Sequence, residues 1–188
     1  SNMLEGEGEI HTAYGATEAM PVSSFGSNEI LSETGDLSRQ GYGMCVGRPI
    51  QGVDLKIIKI NDDPITHWSD DLVVEEGEIG EIVVQGEIVT SGYFERPNHD
   101  KLSKIEDDGY LWHRMGDLGW QDNKGRIWFC GRKSHRVITS DNTLFTIPCE
   151  AIFNNHPAVF RSALVGIGAA PHQQAVVCIE LDPEYKDA

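Results

Sequence analysis

Arg114-Met-Gly-Asp-Leu-Gly-Trp120, a turn at Asp122-Asn-Lys-Gly125, then Arg126-Ile-Trp-Phe-Cys-Gly-Arg132: this stretch decides the fold. Two short apolar arms flank a polar, glycine-containing turn, the pattern of a β-hairpin. Asp117 stands near the start of one arm and Arg132 at the exit of the other. A carboxylate accepts two hydrogen bonds from a vicinal diol, and a guanidinium offers five fixed donors to oxygen. That pair suits a ribose. The alternative is a surface hairpin with ordinary charges.

Outward from the hairpin, short strand-like runs continue in both directions. Upstream, Val53-Asp-Leu-Lys-Ile-Ile-Lys-Ile60 alternates before turning apolar, and Glu81-Ile-Val-Val-Gln-Gly86 is rich in β-branched residues. Ile88 to Phe94 extends the apolar run, and Tyr110-Leu-Trp-His113 follows a turn at Asp107-Asp-Gly109. Gly, Pro and Asp turns separate these runs, so the segment from Val46 to Cys130 reads as a small antiparallel barrel or sandwich. Downstream, Arg136–Ser140 and Leu144–Ile147 bracket Asp141-Asn142-Thr143 as a second hairpin. A helix is predicted from about Cys149 to Asn155 with Pro148 at its start, then strands over Val159–Gly166 and Ala175–Leu181. The order after Arg132 is β-β-α-β-β, small for an independent domain. Lys133-Ser-His-Arg136, the one basic cluster, reads as a solvated hairpin edge.

At the other end, Glu9-Ile-His-Thr12 predicts a short strand leading into Tyr14-Gly-Ala-Thr-Glu18, a small-residue loop. Gly15 and Ala16 keep bulk away, so that something can approach the backbone there. Pro21 to Gln40 is polar, rich in Ser, Glu and Gly, and predicts a long surface connection. Ser1-Asn2 reads as an expression remnant, with Met3 the first residue of a parent protein.

The formal net charge of -15 repels phosphodiester backbones and anionic lipid surfaces, which argues against nucleic-acid or membrane-surface partners. A few arginines and backbone amides can still hold a small phosphate. No run of about 18 apolar residues predicts a transmembrane segment. Cys45, Cys130, Cys149 and Cys178 form no CxxC pair, which suits reduced thiols in a cytoplasmic protein. The seven histidines are scattered, so a metal-dependent hydrolase has little support.

Six stretches together resemble the adenylate-forming superfamily of acyl-CoA synthetases, peptide adenylation domains and beetle luciferase. They are Tyr14-Gly-Ala-Thr-Glu18, Val46-Gly-Arg-Pro-Ile-Gln-Gly-Val53, Gly77-Glu-Ile-Gly-Glu-Ile-Val-Val84, Ser91-Gly-Tyr-Phe-Glu-Arg-Pro97, Met115-Gly-Asp-Leu-Gly119 and Gly131-Arg132. His156-Pro-Ala-Val159 and Ala163-Leu-Val-Gly-Ile167 match the family's small C-terminal domain. The resemblance implies a strand-rich α+β chain, with a distorted antiparallel β-barrel subdomain and a truncated α+β lid. Its divisions would be 1–44 (end of the large nucleotide-binding domain), 45–131 (barrel-like) and 132–188 (start of the lid). It also implies an ATP-dependent, AMP-forming ligase acting on a long-chain or 3-hydroxy fatty acid. Tyr14 would stack on adenine beside the Gly15 backbone, Thr17 would bond the α-phosphate, and Glu18 would help hold Mg²⁺. Asp117 and Arg132 would hold the ribose, and the hinge would fall at Ser134, where the family usually has Asp or Lys.

Ile138 and Asp141 stand where Lys and Gly are common, and a side chain at that glycine obstructs the pantetheine arm of coenzyme A. Coenzyme A therefore stays open as an acceptor. Gly131-Arg-Lys-Ser-His-Arg-Val137, with Leu144-Phe-Thr-Ile-Pro-Cys-Glu150, is more similar to olefin-biosynthesis β-lactone synthetases. Those enzymes adenylate a 2-alkyl-3-hydroxy acid whose own hydroxyl displaces AMP. The family's phosphate loop would lie upstream of Tyr14, and Lys186 lacks the glycine neighbour of the family's C-terminal lysine. The expectation is a fragment inactive by itself, needing the missing subdomains of its parent chain. The competing expectation is a β-rich, non-catalytic interaction module.

Overall fold

The computed structural model describes residues 8–185. The readings at Ser1, Asn2, Met3 and Lys186 lie outside the described residues. Twelve strands are described: β1 (His11–Ala16), β2 (Ala19–Gly26), β3 (Met44–Pro49), β4 (Val53–Ile58), β5 (Gly80–Gly86), β6 (Lys104–Asp107), β7 (Tyr110–Gln121), β8 (Ile127–Arg132), β9 (Val137–Ile138), β10 (Thr143–Leu144), β11 (Val159–Ile167) and β12 (Gln174–Leu181). Eight of them form one antiparallel sheet in the order β1-β2-β3-β8-β7-β5-β4, with β6 paired to β7. β9–β10 and β11–β12 are separate two-stranded pairs. A helix over Pro97–Ser103 precedes β6, and another over Thr146–Asn154 precedes β11. The strand-rich, antiparallel α+β architecture is therefore the one expected.

Curling of the sheet sets its core. Val53, Leu55 and Ile57 of β4 turn inward, while Asp54 and Lys56 face out, the period-two pattern of a half-buried strand. They meet Ala19 and Val22 of β2, although those strands are far apart along the hydrogen-bonded path. β5 is buried on both faces: Ile82 and Val84 join that cluster, and Val83 joins Ile58, Ile65, Ile105 and Trp112. This explains why its sequence is a continuous apolar run without alternation.

The central hairpin forms as its residues dictate. Asp122 accepts from the N–H groups of Lys124 and Arg126, each at 2.9 Å, while Gly125 takes φ +72° and donates to the Asp122 carbonyl. Asp122 also accepts from Arg126 Nε at 2.7 Å and Trp128 Nε1 at 2.9 Å, so one carboxylate closes the turn and anchors both arms. Burial opposes its ionisation, yet these bonds outweigh it and hold the group below the usual carboxylate range.

Several expectations are corrected. The first strand starts at His11 and takes in Tyr14-Gly-Ala16, leaving only Thr17 and Glu18 as the turn. Pro21–Gln40 is not a surface connection: it begins within β2 and continues as short helical turns from Ser27 to Tyr42. Buried Ser23 disguised that strand, and its hydroxyl is satisfied by donating to the Val46 carbonyl at 2.6 Å. In the helical turns, Ile30 and Leu37 pack onto the cluster of Phe25, Cys45 and Trp128, an apolar spacing obscured by Gly35 and intervening polar residues. Ile88–Phe94 makes no strand. The predicted helix begins earlier, at Thr146, so Pro148 lies in its first turn, where a missing N–H costs little.

Candidate functional site

A bulge in β7 aims the hairpin's carboxylate. Val83 of β5 pairs with Arg114 and Glu81 with Leu118, so Met115, Gly116 and Asp117 together stand against Ile82 alone. Gly116 takes φ +65°, and a Cβ there would sit 3.3 Å from Arg132 Nη2. Glycine thus provides both the backbone turn and the room for the guanidinium. Across the hairpin Asp117 pairs with Arg132, whose Nη1 donates to Asp117 Oδ1 at 2.6 Å and to the Met115 carbonyl at 3.2 Å.

Tyr14 completes this end of the site. Its hydroxyl donates to Asp117 Oδ2 at 2.7 Å, and its ring lies 6.2 Å from that of Phe129. Burial, then the Asp117 charge, pushes the Tyr14 hydroxyl far above its ordinary range, so it stays a donor. Tyr14, 103 positions before Asp117 in sequence, therefore holds one oxygen of this buried carboxylate, and the half-exposed Arg132 guanidinium holds the other. Gly15 is required by the chain itself: a Cβ there would meet the Ala19 carbonyl at 2.7 Å, where β1 and β2 slip register.

Glu18 lies at the other end of the Tyr14–Glu18 segment. Tyr93 Oη donates to Glu18 Oε1 at 2.7 Å, and the Glu18 carbonyl accepts from Thr90 N–H at 2.9 Å. The Tyr93 hydrogen bond, assisted by a backbone hydrogen bond and the Lys104 charge, holds the Glu18 carboxyl below its usual range against a desolvation penalty. Burial and Glu18 push the Tyr93 hydroxyl up to about 12. Lys104 is buried on β6, directly across from His113 of β7, and donates to the Thr90 carbonyl. Burial, reinforced by Lys104, lowers His113 to about 4. The two ends of the segment are thus tied to different places, Tyr14 to Asp117 of β7 and Glu18 to Thr90 and Tyr93 of the loop after β5. Thr17 is exposed at the turn, next to Glu18.

Among the described residues no group of three or more His, Cys, Asp and Glu is gathered for a metal ion. Glu18 nonetheless fits Mg²⁺, which is commonly held by one or two carboxylates together with substrate phosphates. It is an ionised, half-buried carboxylate with acceptor capacity beyond the Tyr93 bond.

Ser134 is exposed in a single helical turn, Lys133–His135. The flanking cations correct the reading of a solvated edge. Lys133 Nζ reaches Glu81 Oε2 and the Asn61 carbonyl, each at 3.0 Å, and Arg136 pairs with Asp62. Glu81 is buried with Arg114 at 2.7 Å, their side chains 1% and 2% exposed. Sequence reasoning missed Tyr93, Lys104, His113, Glu81, Arg114 and Lys133 as members of the site or its supports. Tyr93 stood inside a quoted motif, but nothing local tells which carboxylate its hydroxyl meets.

The sequence pattern of the AMP-binding enzyme family matches residues 2–94. Over 186 residues the chain is 43% identical to an olefin β-lactone synthetase of Xanthomonas campestris pv. campestris, covering 96% of this chain and 33% of that protein. The chain belongs to the AMP-binding, adenylate-forming enzyme family. It spans about a third of the length of the curated relatives it matches. Among solved structures, it superposes on o-succinylbenzoate CoA synthetase of Bacillus subtilis in complex with the acyl-adenylate intermediate, with TM-score 0.67 and 25% identity. That match covers 92% of this chain and 31% of the synthetase. The same synthetase in complex with ATP and a magnesium ion superposes with TM-score 0.69 at 24% identity, covering 92% and 32% of the two chains. No helix of the described residues is long and apolar enough to cross a membrane.

Proposed function

We propose that this chain forms the adenosine and metal side of an ATP-dependent, AMP-forming ligase that activates a fatty carboxylic acid as its acyl-adenylate. The observation that carries this reading is Asp117, buried, bulged out of β7 and flanked by Tyr14 and Arg132. Asp117 accepts the ribose hydroxyls, and Arg132 donates to the ribose from the open side. Tyr14, beside the Gly15 backbone, offers its ring to adenine. Thr17, exposed at the turn, donates to the α-phosphate, and Glu18 holds the cation. A bound Mg²⁺ would neutralise phosphate charge while the acid's carboxylate attacks the α-phosphorus and pyrophosphate leaves. In this reading Asp117 and Glu18, fixed to β7 and to the loop after β5, take the ribose and the phosphate end of one nucleotide, with Thr17 between them in sequence.

The acid in this reading is long-chain or 3-hydroxylated, and β-lactone closure by its own hydroxyl is favoured over thioester formation. The identity to β-lactone synthetase, together with Ile138 and Asp141, supports that preference. Coenzyme A is not needed by it. The curled sheet over 45–131 is read as the barrel-like subdomain, 1–44 as the end of the large domain, and 132–188 as the first part of a lid hinged at Ser134. This stretch supplies one wall of the site and is proposed not to turn over alone. Free buried thiols at Cys45 and Cys130 agree with a cytoplasmic location.

The test is pyrophosphate release from ATP by the full-length parent enzyme across a panel of fatty acids, with and without a 2-alkyl-3-hydroxy pattern. Release only with an acid present, fastest with the hydroxy acid, is expected. Asp117→Ala should lower kcat/KM for ATP at least ~100-fold, as loss of a charge-assisted contact of about 3 kcal/mol implies. No release with any acid would overturn the reading.

A further inference from the structure

The loop between β5 and the Pro97–Ser103 helix is tied down on every side. Tyr93 N–H donates to Asp100 Oδ1 at 2.8 Å, and its ring meets His99 edge-on at 6.2 Å. Gly92 lies against the same carboxylate: a Cβ there would come 3.1 Å from Asp100 Oδ1. At the loop's other end, Thr90 donates its N–H to the Glu18 carbonyl. Thr90 in turn accepts from buried Lys104 at both its carbonyl and its hydroxyl, the latter at 3.4 Å. The loop therefore grips Glu18 twice, by backbone through Thr90 and by side chain through Tyr93.

We propose that Tyr93 is a positioning residue for Glu18, its hydroxyl fixing the orientation of the carboxylate that holds the cation. The inference rests on the metal role of Glu18 proposed above. A glutamate at a turn has several side-chain torsions to restrict, and one hydrogen bond from a clamped phenol selects a single arrangement. It commits Oε1 and leaves the carboxylate's remaining lone pairs to the ion. Carboxylates that bind metals are commonly oriented by an outer hydrogen-bond donor, and losing such a donor weakens metal affinity roughly 10–100-fold. Lys104 and Asp100 act one step further back by fixing the loop.

The experiment uses the full-length enzyme and Mn²⁺ as the spectroscopic probe, with binding followed by electron paramagnetic resonance in the presence of a non-hydrolysable ATP analogue. Nucleotide affinity without metal is measured separately by calorimetry. Tyr93→Phe, which keeps the ring and its packing, should raise the Mn²⁺ Kd about 10-fold and leave metal-free nucleotide affinity within about twofold. Asp117→Ala should reverse that pattern. Glu18→Gln sets the full effect of losing the carboxylate charge. If Glu18→Gln weakens Mn²⁺ binding and Tyr93→Phe does not, the positioning role is wrong and the metal role of Glu18 stands. If neither changes it, the metal role of Glu18 fails and the inference fails with it. Equal losses of metal and metal-free nucleotide affinity in Tyr93→Phe would reduce Tyr93 to a packing residue and overturn the proposal.

Discussion

The sheet body and the unit that follows Arg132 use similar apolar residues and bury them very differently. In the body, Trp128, Ile58, Ile82, Ile105, Leu118 and Ile127 are all essentially sealed from solvent. After Arg132, Val137 and Leu164 are the buried hydrophobics among the described residues, while Phe160 is 59% and Ile167 57% exposed. The body encloses its core by curling one sheet. The later unit has one helix and two separate two-stranded pairs, too little surface to enclose a core of its own. It is steadied from outside. The Thr146–Asn154 helix lies against Gly41, where a Cβ would meet Ile152 and Pro148, and Asn155 Nδ2 donates to the Arg39 carbonyl at 2.6 Å. Lys133 and Arg136 fasten its first residues to Glu81 and Asp62. The difference places the enclosed core where Asp117 is held, and leaves the unit beyond Ser134 attached by charges and by its helix packed on the Ser38–Tyr42 turn.

The most severe way to break this contrast is to remove one partner of a buried charge pair. Arg114→Ala should cost the body about 3 kcal/mol, because the sealed Glu81 would lose both bonds from the guanidinium and keep only the one from Lys133. Arg161→Ala, which removes an exposed partner of Glu180 in the later unit, should cost less than ~1 kcal/mol. Urea unfolding is followed by tryptophan fluorescence for the body, since Trp68, Trp112, Trp120 and Trp128 all precede Arg132, and by hydrogen exchange over β11 and β12 for the later unit. Equal losses in the two variants would mean that the regions do not differ in this way.

A smaller effect comes from pH. His113 titrates at about 4 in the fold and near 6.5 when exposed in an unfolded chain. Between those values the unfolded chain binds the extra proton, so the contribution is fully present above about 6.5 and is lost as pH falls toward 4. The body should lose on the order of 2–3 kcal/mol over that window, and His113→Gln should flatten the decline. An unchanged slope in the variant would locate the pH sensitivity elsewhere.

The mildest test concerns the attachment. Lys133→Ala removes a charge-assisted bond to Glu81 and should cost ~1–2 kcal/mol. Hydrogen exchange should quicken over 133–145 while β7 and β8 keep their protection. Uniform acceleration would show that the later unit is part of the body's cooperative core.

Legibility followed the range of the interactions. The central hairpin was plain because its turn is written in four adjacent residues, Asp122 to Gly125, and its arms in the apolar runs beside them. The β-β-α-β-β order after Arg132 was legible for the same reason, with ends displaced by a few residues. β2 was missed because the buried Ser23 bonds to Val46, a partner 23 residues away. The basic cluster was misread because Lys133 and Arg136 are satisfied by Glu81 and by the Asn61–Asp63 loop, far back in the chain.

For the candidate site, the sequence alone supplied the chemical parts: an aromatic and a carboxylate at Tyr14 and Glu18, a carboxylate and a guanidinium at Asp117 and Arg132. Residue type and local spacing suggested Asp117 with Arg132, since turn chemistry and strand alternation act over a few residues, whereas Tyr14 and Glu18 stood out through the resemblance of several motifs in order. Only the tertiary structure decided that Tyr14 reaches Asp117, that Tyr93 grips Glu18, and that Arg114 and Lys133 share Glu81. Those contacts arise from the order of strands in a curled sheet and from one bulge in β7. Strand order is set by how buried surfaces fit together across the whole chain, and no short stretch of sequence encodes it.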